Sequence, residues 1–204
     1  HADAAACLDR HPAPGRPGQR LTDLGWQLAR ARLASVRGED PSPWLAAAAS
    51  ATGLPPGLQL QRRVAMASLQ TPAHGELAPL LDQLRERGMR GLQRTAEIAA
   101  ARAALAGGQP GPALAHARTA LALAGHVDAW IDEPASVWLD AADVLSACGR
   151  ADEAASAVAT GAAWVTRGAA MWEDPAHRAA WLDGNPVHRR LLQWHAGSRT
   201  RPAR

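Results

Sequence analysis

Apolar residues recur along this chain at the spacing of amphipathic helices. The clearest case is Leu77, Leu80, Leu81 and Leu84, which stand at positions i, i+3, i+4 and i+7 of one helix face. No stretch of four or more residues alternates between apolar and polar as a half-buried strand would. The pattern therefore predicts an all-α protein. Its helices are expected over residues 21–37, 44–51, 58–69, 77–88, 91–105, 112–124, 134–148 and 151–165.

Proline and glycine separate these helices into a regular helix–turn–helix rhythm. Residues 1–20 are rich in both, and they are expected to form a linker or the end of a preceding helix. A helical-repeat domain is expected over 21–197, and the polar residues 198–204 are expected to form a disordered tail. The chain begins with histidine rather than methionine, which favours a piece of a longer polypeptide.

Several helix starts are marked by an acidic or amide residue followed by proline. Asp132 or Glu133 is expected to cap a helix whose first turn contains Pro134. The same signal predicts two short C-terminal helices over 174–184 and 185–197. A glycine at the far end of each is expected to stop it.

Two segments repeat the same order of small residues around a glycine. Aligning Gly108 with Gly149 places alanine or glycine at matching offsets, with Glu97 and Trp138 at corresponding positions. Small residues at such offsets let two helices cross closely. The copies are 41 residues apart, about seven more than the ~34 of a tetratricopeptide repeat, which this order of large and small residues resembles.

The resemblance implies an antiparallel helix-pair array, a tetratricopeptide-like α-solenoid, whose best repeats cover 95–124 and 134–168. The predicted repeat core comprises Ala101, Ala113, Ala120, Trp138, Ala142, Leu145, Ala154, Val158 and Gly161.

The C-terminal stretch "DPAHRAAWLDGNPVHRRLLQW" carries a second resemblance. It is similar to the end of the helical-repeat region in large bacterial signalling ATPases and transcriptional regulators. The resemblance implies a short capping helix that closes the array within residues 174–197. The cap residues are expected to be Trp181, Asn185, Pro186, Leu191 and Leu192.

Composition narrows the class of protein further. The chain of 204 residues has a net charge of +3, which is too small a surplus to indicate nucleic-acid binding by itself. Its two cysteines lie far apart and form no metal-type spacing, which favours a cytoplasmic protein. No apolar run reaches the ~18 residues of a membrane helix, so no membrane partner is expected.

Candidate chemistry is sparse. Lysine is absent from the sequence, so a phosphate-binding loop of the G-x-x-x-x-G-K type is excluded. His177, His188 and His195 fall in the last two predicted helices but lack metal-ligand spacing, and surface or partly packed positions are favoured for them. His74 and His116 stand alone in the sequence. We therefore expect no catalytic, cofactor or metal site, and not an enzyme.

These features favour a regulatory module that binds a protein or peptide. The leading hypothesis is the C-terminal part of a larger bacterial signalling or transcriptional regulator, whose partner includes upstream domains of the same polypeptide. A free-standing tetratricopeptide-like adaptor is the first alternative. A helical hydrolase or metal enzyme is the alternative from another class.

Overall fold

The computed structural model describes residues 20–70, 72–126 and 133–199. Within these ranges 79% of residues are helical and no β-strand is present, as the sequence predicts for an all-α protein. Ten α-helices and one π-helical turn follow one another in the described part of the chain. They are α1 (Arg20–Arg37), α2 (Ser42–Ala49), α3 (Pro56–Leu69), α4 (His74–Glu86), α5 (Arg90–Ala106), α6 (Pro110–Ala122), α7 (Ser136–Ala147), α8 (Ala151–Ala169), α9 (Pro175–Ala179), the π-helical turn (Ala180–Gly184) and α10 (Pro186–Arg199).

The chain divides into two compact units, residues 1–72 and 73–204, where the sequence predicts one domain over 21–197. The first unit contains α1 to α3, and Leu24, Ala48 and Leu54 form a small core cluster there. Each unit carries its own core.

In the second unit the helices α4 to α8 each pack on their neighbours in sequence. α5 pairs with α6, and α7 pairs with α8. α7 also contacts both members of the preceding pair, and α10 likewise contacts both α7 and α8. This arrangement buries one continuous core that begins at α5 and ends at α10.

Alanine dominates that core because the paired helices approach closely. All nine predicted repeat-core residues are buried, and seven of their side chains leave at most 2% of their surface exposed: Ala101, Ala113, Ala120, Ala142, Leu145, Ala154 and Val158. A larger side chain at these crossings would separate the helices.

One turn geometry recurs at three helix ends. Gly88, Gly108 and Gly149 have φ angles of 64°, 68° and 74°, in the left-handed region where glycine has no steric cost. After Gly149, the amide of Arg150 donates to the carbonyl of Leu145 at 2.8 Å, the signature of a Schellman helix end. Gly88, Gly108 and Gly149 therefore share a backbone role: each reverses the chain into the next helix.

Three helix boundaries differ from the sequence-based expectation. α7 begins at Ser136 and not at Pro134, because Pro134 lies in a turn. α10 continues through Gly197 to Arg199, so that glycine does not stop it. α4 passes through Pro79, which lies inside the helix rather than at its start. The expectations for residues 1–19, Asp132 and 200–204 lie outside the described residues.

Candidate functional site

The C-terminal segment that contains Trp181 and Leu191 packs against two glycines of α8. A Cβ atom on Gly161 would lie 2.8 Å from Trp138 Cβ and 3.1 Å from Leu191 Cδ2. A Cβ atom on Gly168 would lie 2.6 Å from the Trp181 ring. Only glycine leaves room for these contacts, so α8 is shaped to receive the segment 181–191.

The predicted cap residues surround this contact. Trp181 Nε1 donates a 2.9 Å hydrogen bond to the carbonyl of Val165 on α8. Leu191 is fully buried, Leu192 is half-buried, and Asn185 and Pro186 begin α10. These residues therefore lie where the core of the second unit ends.

A buried histidine of α10 contacts the segment that precedes α7. His188 is 1% exposed, and its Nε2 lies 3.0 Å from Glu133 Oε1, while its Nδ1 lies 2.8 Å from the carbonyl of Trp181. Asn185 Nδ2 donates to Glu133 Oε2 at 2.6 Å. The expectation of a surface or partly packed position for His188 is wrong, because its side chain is buried. Glu133 accepts a 3.3 Å hydrogen bond from the amide of Ala135 just before α7, and Asp132, the other expected cap, lies outside the described residues. The Glu133 carboxylate also binds the side chains of Asn185 and His188, which lie more than fifty residues further along the chain. The N-cap residue of α7 is Ala135.

A row of charged side chains crosses the helices α5, α7 and α10. Arg102 NH2 lies 2.5 Å from Asp140 Oδ1, and Arg190 NH2 lies 2.8 Å from Asp143 Oδ1. Arg102, Asp143 and Arg190 keep 46%, 40% and 58% of their side-chain surface exposed. We call these four residues the charged row.

Asp140 is the least exposed member of the charged row. Burial raises the pKa of its carboxyl above the usual 3.8, and the positive charge of Arg102 offsets only part of this effect, while Asp143 adds to it. The side chain retains 20% of its surface exposed. The row therefore contains one carboxylate whose ionisation is disfavoured by its surroundings.

A second set of ion pairs joins α6 to α8. Arg118 binds both oxygens of Glu153 at 2.8 and 2.9 Å, and Arg150 binds Oε1 of the same carboxylate at 2.7 Å. Hydrogen bonds from Arg118 and Arg150 lower the pKa of Glu153 to about 2. These pairs are exposed, so salt and water screen their contribution to stability.

A buried polar cluster lies between α4, α5 and α6. Glu97 is fully buried on α5, and its Oε2 lies 2.6 Å from Nδ1 of His116 on α6. The other ring nitrogen of His116, Nε2, lies 2.9 Å from Nε2 of His74, the first residue of α4. The three residues form an ordered chain from carboxylate to imidazole to imidazole.

Two further side chains satisfy the second oxygen of Glu97. Arg85 NH2 donates to Oε1 at 3.2 Å, and Gln93 Nε2 donates to it at 3.3 Å. Burial by itself would raise the pKa of Glu97, but the hydrogen bonds from His116, Gln93 and Arg85 and the charge of His116 together hold it below the usual 4.5. Glu97 is therefore ionised in the folded protein at neutral pH.

The first unit contains a shallow groove of about 280 Å³ between α1 and the end of α2. Asp23 and Gln27 line it, and the buried atoms Asp23 Oδ1 and Gln27 Oε1 have no hydrogen-bond partner. Both residues are only partly buried, so water can reach the groove. Nearby, Arg62 donates to the carbonyls of Ala49 and Ala51, and these hydrogen bonds hold its side chain against the end of α2.

Two observations concern metal binding and membrane insertion. Among the described side chains, no group of three or more His, Cys, Asp or Glu residues is placed to hold a metal ion. None of the helices in those same ranges has the length and apolar character that crossing a membrane requires.

Sequence inspection misses the Glu97 cluster because its members come from three helices. Glu97 and His116 are 19 residues apart, and His74 and His116 are 42 residues apart. The sequence contains one signal of this cluster: Glu97 aligns with Trp138, so a charged residue stands where the second segment has an apolar one. A carboxylate at a core position requires a buried partner, and His116 is that partner.

The chain matches no protein-family model, no curated protein and no solved structure.

Proposed function

We propose that the second unit is an interaction module of the helical-repeat kind, and that it binds a protein or peptide segment across the charged row. The row carries the proposal because it runs over three helices that belong to successive layers of the fold. Stacked helix pairs commonly use such a continuous surface for binding.

The chemistry of the row indicates the kind of segment. Arg102 and Arg190 each use one nitrogen, NH2, for their aspartate partner. A guanidinium has five N–H donors in a planar fork, so each arginine retains donors for a second carboxylate. We therefore propose a partner segment that presents acidic side chains to the two arginines.

This module fits either of two contexts. It could serve as the C-terminal part of a larger bacterial regulator, where the partner is an upstream domain of the same polypeptide. A free-standing cytoplasmic adaptor would use the same row on a separate protein. In both contexts the proposed role is binding and not catalysis.

The test is selection of peptides from a random display library on the full chain. We expect acidic peptides that bind wild type and lose at least tenfold in affinity when Arg102→Gln and Arg190→Gln are combined. Arg118→Gln is the matched control, because Arg118 is also half-exposed and paired with a carboxylate but belongs to α6. The proposal is rejected if no peptide is selected, or if Arg118→Gln reduces binding as much as the double variant.

A further inference from the structure

The Glu97 cluster has no part in the proposed binding surface. The corresponding position in the second pair holds Trp138, an apolar side chain. A buried carboxylate costs free energy unless it is paired. The presence of this buried polar cluster therefore suggests that its two histidines have a function.

The two imidazoles face each other through equivalent atoms. His74 Nε2 and His116 Nε2 are 2.9 Å apart, and the rings are inclined by 74°. Glu97 accepts from Nδ1 of His116, so in the neutral form of that ring the proton lies on Nδ1 and Nε2 has a free lone pair. A carboxylate on the far nitrogen of a histidine is the usual support of a metal-ligating imidazole.

We propose that His74 and His116 bind a divalent transition-metal ion, with Zn²⁺ as the representative, through their Nε2 atoms, and that Glu97 orients His116 for this role. Imidazole nitrogen suits zinc, copper and nickel. Water completes the coordination, because the protein supplies two ligands. This departs from the sequence-based expectation that the chain has no metal site.

The geometry requires a small adjustment. Two nitrogens bound to one tetrahedral zinc at 2.0–2.1 Å lie about 3.3 Å apart, so the pair must open by about 0.4 Å relative to the 2.9 Å of the structure. The metal takes the place of the proton between the two Nε2 atoms, and the neutral His74 ring then carries its proton on Nδ1. His74 is half-buried and stands at the first residue of α4, where a side-chain movement of this size is accommodated.

The charge around the pair favours a cation. Arg85 lies 2.8 Å from Asp82 and 3.2 Å from Glu97, so one guanidinium is shared between two carboxylates. In the metal-binding state, where both histidines are neutral, these three charged groups sum to a net negative charge. A divalent ion between the imidazoles therefore enters a locally anionic environment, although Arg85 reduces that attraction.

Zinc titration of the full chain without an affinity tag tests the proposal, with binding followed by calorimetry and by the ¹⁵N resonances of the histidine rings. We expect Zn²⁺ to move the Nε2 resonances of His74 and His116 together. We also expect His74→Gln and His116→Gln each to weaken that binding event at least tenfold. His177→Gln is the matched control, since His177 is exposed and lies 3.2 Å from the carboxylate of Asp174.

His74→Gln is the decisive variant because it leaves the Glu97–His116 hydrogen bond in place, so the fold is retained. Glu97→Gln provides the positioning test, with an expected loss of about ten- to a hundredfold in zinc affinity in protein shown by circular dichroism to be folded. The proposal is overturned if His74→Gln binds zinc within twofold of wild type. It is equally overturned if zinc moves the resonances of other histidines and leaves those of His74 and His116 unchanged.

Discussion

Glu97 on α5 and Trp138 on α7 lie at corresponding positions of successive helix pairs, yet one binds its neighbours by hydrogen bonds and the other by ring contacts. Glu97 is fully buried and is held by His116, Arg85 and Gln93. Trp138 is 7% exposed and stacks at 5.8 Å on Trp164. The two positions, which the sequence aligns, are therefore stabilised by opposite kinds of interaction, and these respond differently to mutation and to pH.

The aromatic position should be the more sensitive to truncation. Replacing Trp138 with alanine removes a side chain that contacts α8, and partial collapse cannot fill the space. We expect Trp138→Ala to lower the free energy of unfolding by about 3–5 kcal/mol. Trp172→Ala is the control, because Trp172 is 42% exposed and should cost far less. Equal urea midpoints for the two variants would contradict the assignment of Trp138 to the core.

The polar position should be sensitive to acid. Because its folded-state pKa is depressed, Glu97 contributes stability that is complete above its ordinary pKa of 4.5 and is lost as the pH falls through the lower folded-state value. We expect Glu97→Gln to cost about 1–3 kcal/mol at pH 7, and this difference from wild type should shrink below pH 4.5. Urea titrations of both proteins between pH 3 and 7 measure it. A difference that stays constant over that range would show that the Glu97 carboxylate is not stabilised in the folded protein.

Asp140 should respond to pH with the opposite sign. Its pKa is raised in the folded protein, chiefly by burial, so the folded state binds the proton more tightly than the unfolded state does. Wild type therefore loses stability as the pH rises from its ordinary value of 3.8 through the folded-state pKa. Asp140→Asn cannot ionise, and we expect its stability relative to wild type to increase over this interval. Thermal melts at a series of pH values would contradict this if the variant became relatively less stable toward neutral pH.

Local signals in the sequence were sufficient for the helices and for the residues that face the core. Leu77, Leu80, Leu81 and Leu84 stand on one face by spacing alone, and all four are buried in the structure. Asp174 caps α9 as its place before proline predicts, since its Oδ1 accepts from the amide of Ala176 at 2.8 Å. These features depend on neighbours within one turn of helix, and the sequence shows such neighbours directly.

Contacts between distant helices were not predictable in the same way. Glu133 has the sequence context of a helix cap, but its carboxylate binds Asn185 and His188, more than fifty residues away. The carboxylate keeps a 3.3 Å hydrogen bond from the amide of Ala135, but its shorter hydrogen bonds go to Asn185 and His188, which the packing of α10 brings to both oxygens. The proximity of His74 and His116 was not predictable for the same reason, since only the packing of α4 against the α5–α6 pair brings the two residues together.

The closest approach in the second unit gives the last prediction. Gly161 lies where α8 meets both Trp138 and Leu191, and a Cβ atom there would be 2.8 Å from Trp138 Cβ. A Cβ atom is fixed to the backbone, so neither helix can yield by rotating a side chain. Alanine would improve helix propensity by about 1 kcal/mol, but overpacking costs about 1–3 kcal/mol. Because backbone must move here, we expect the overpacking to exceed the gain, and Gly161→Ala to lower the free energy of unfolding by about 1 kcal/mol or more.

The matched control is Gly75→Ala in α4, where nothing lies within 4 Å of the added Cβ atom and the next residue is Glu76 rather than proline. There the propensity gain acts without a clash, and the variant should be as stable as wild type or up to about 1 kcal/mol more stable. Urea unfolding of the two variants separates packing from propensity. If Gly161→Ala is stabilised as much as Gly75→Ala, then α8 does not approach Trp138 and α10 as closely as the structure places it.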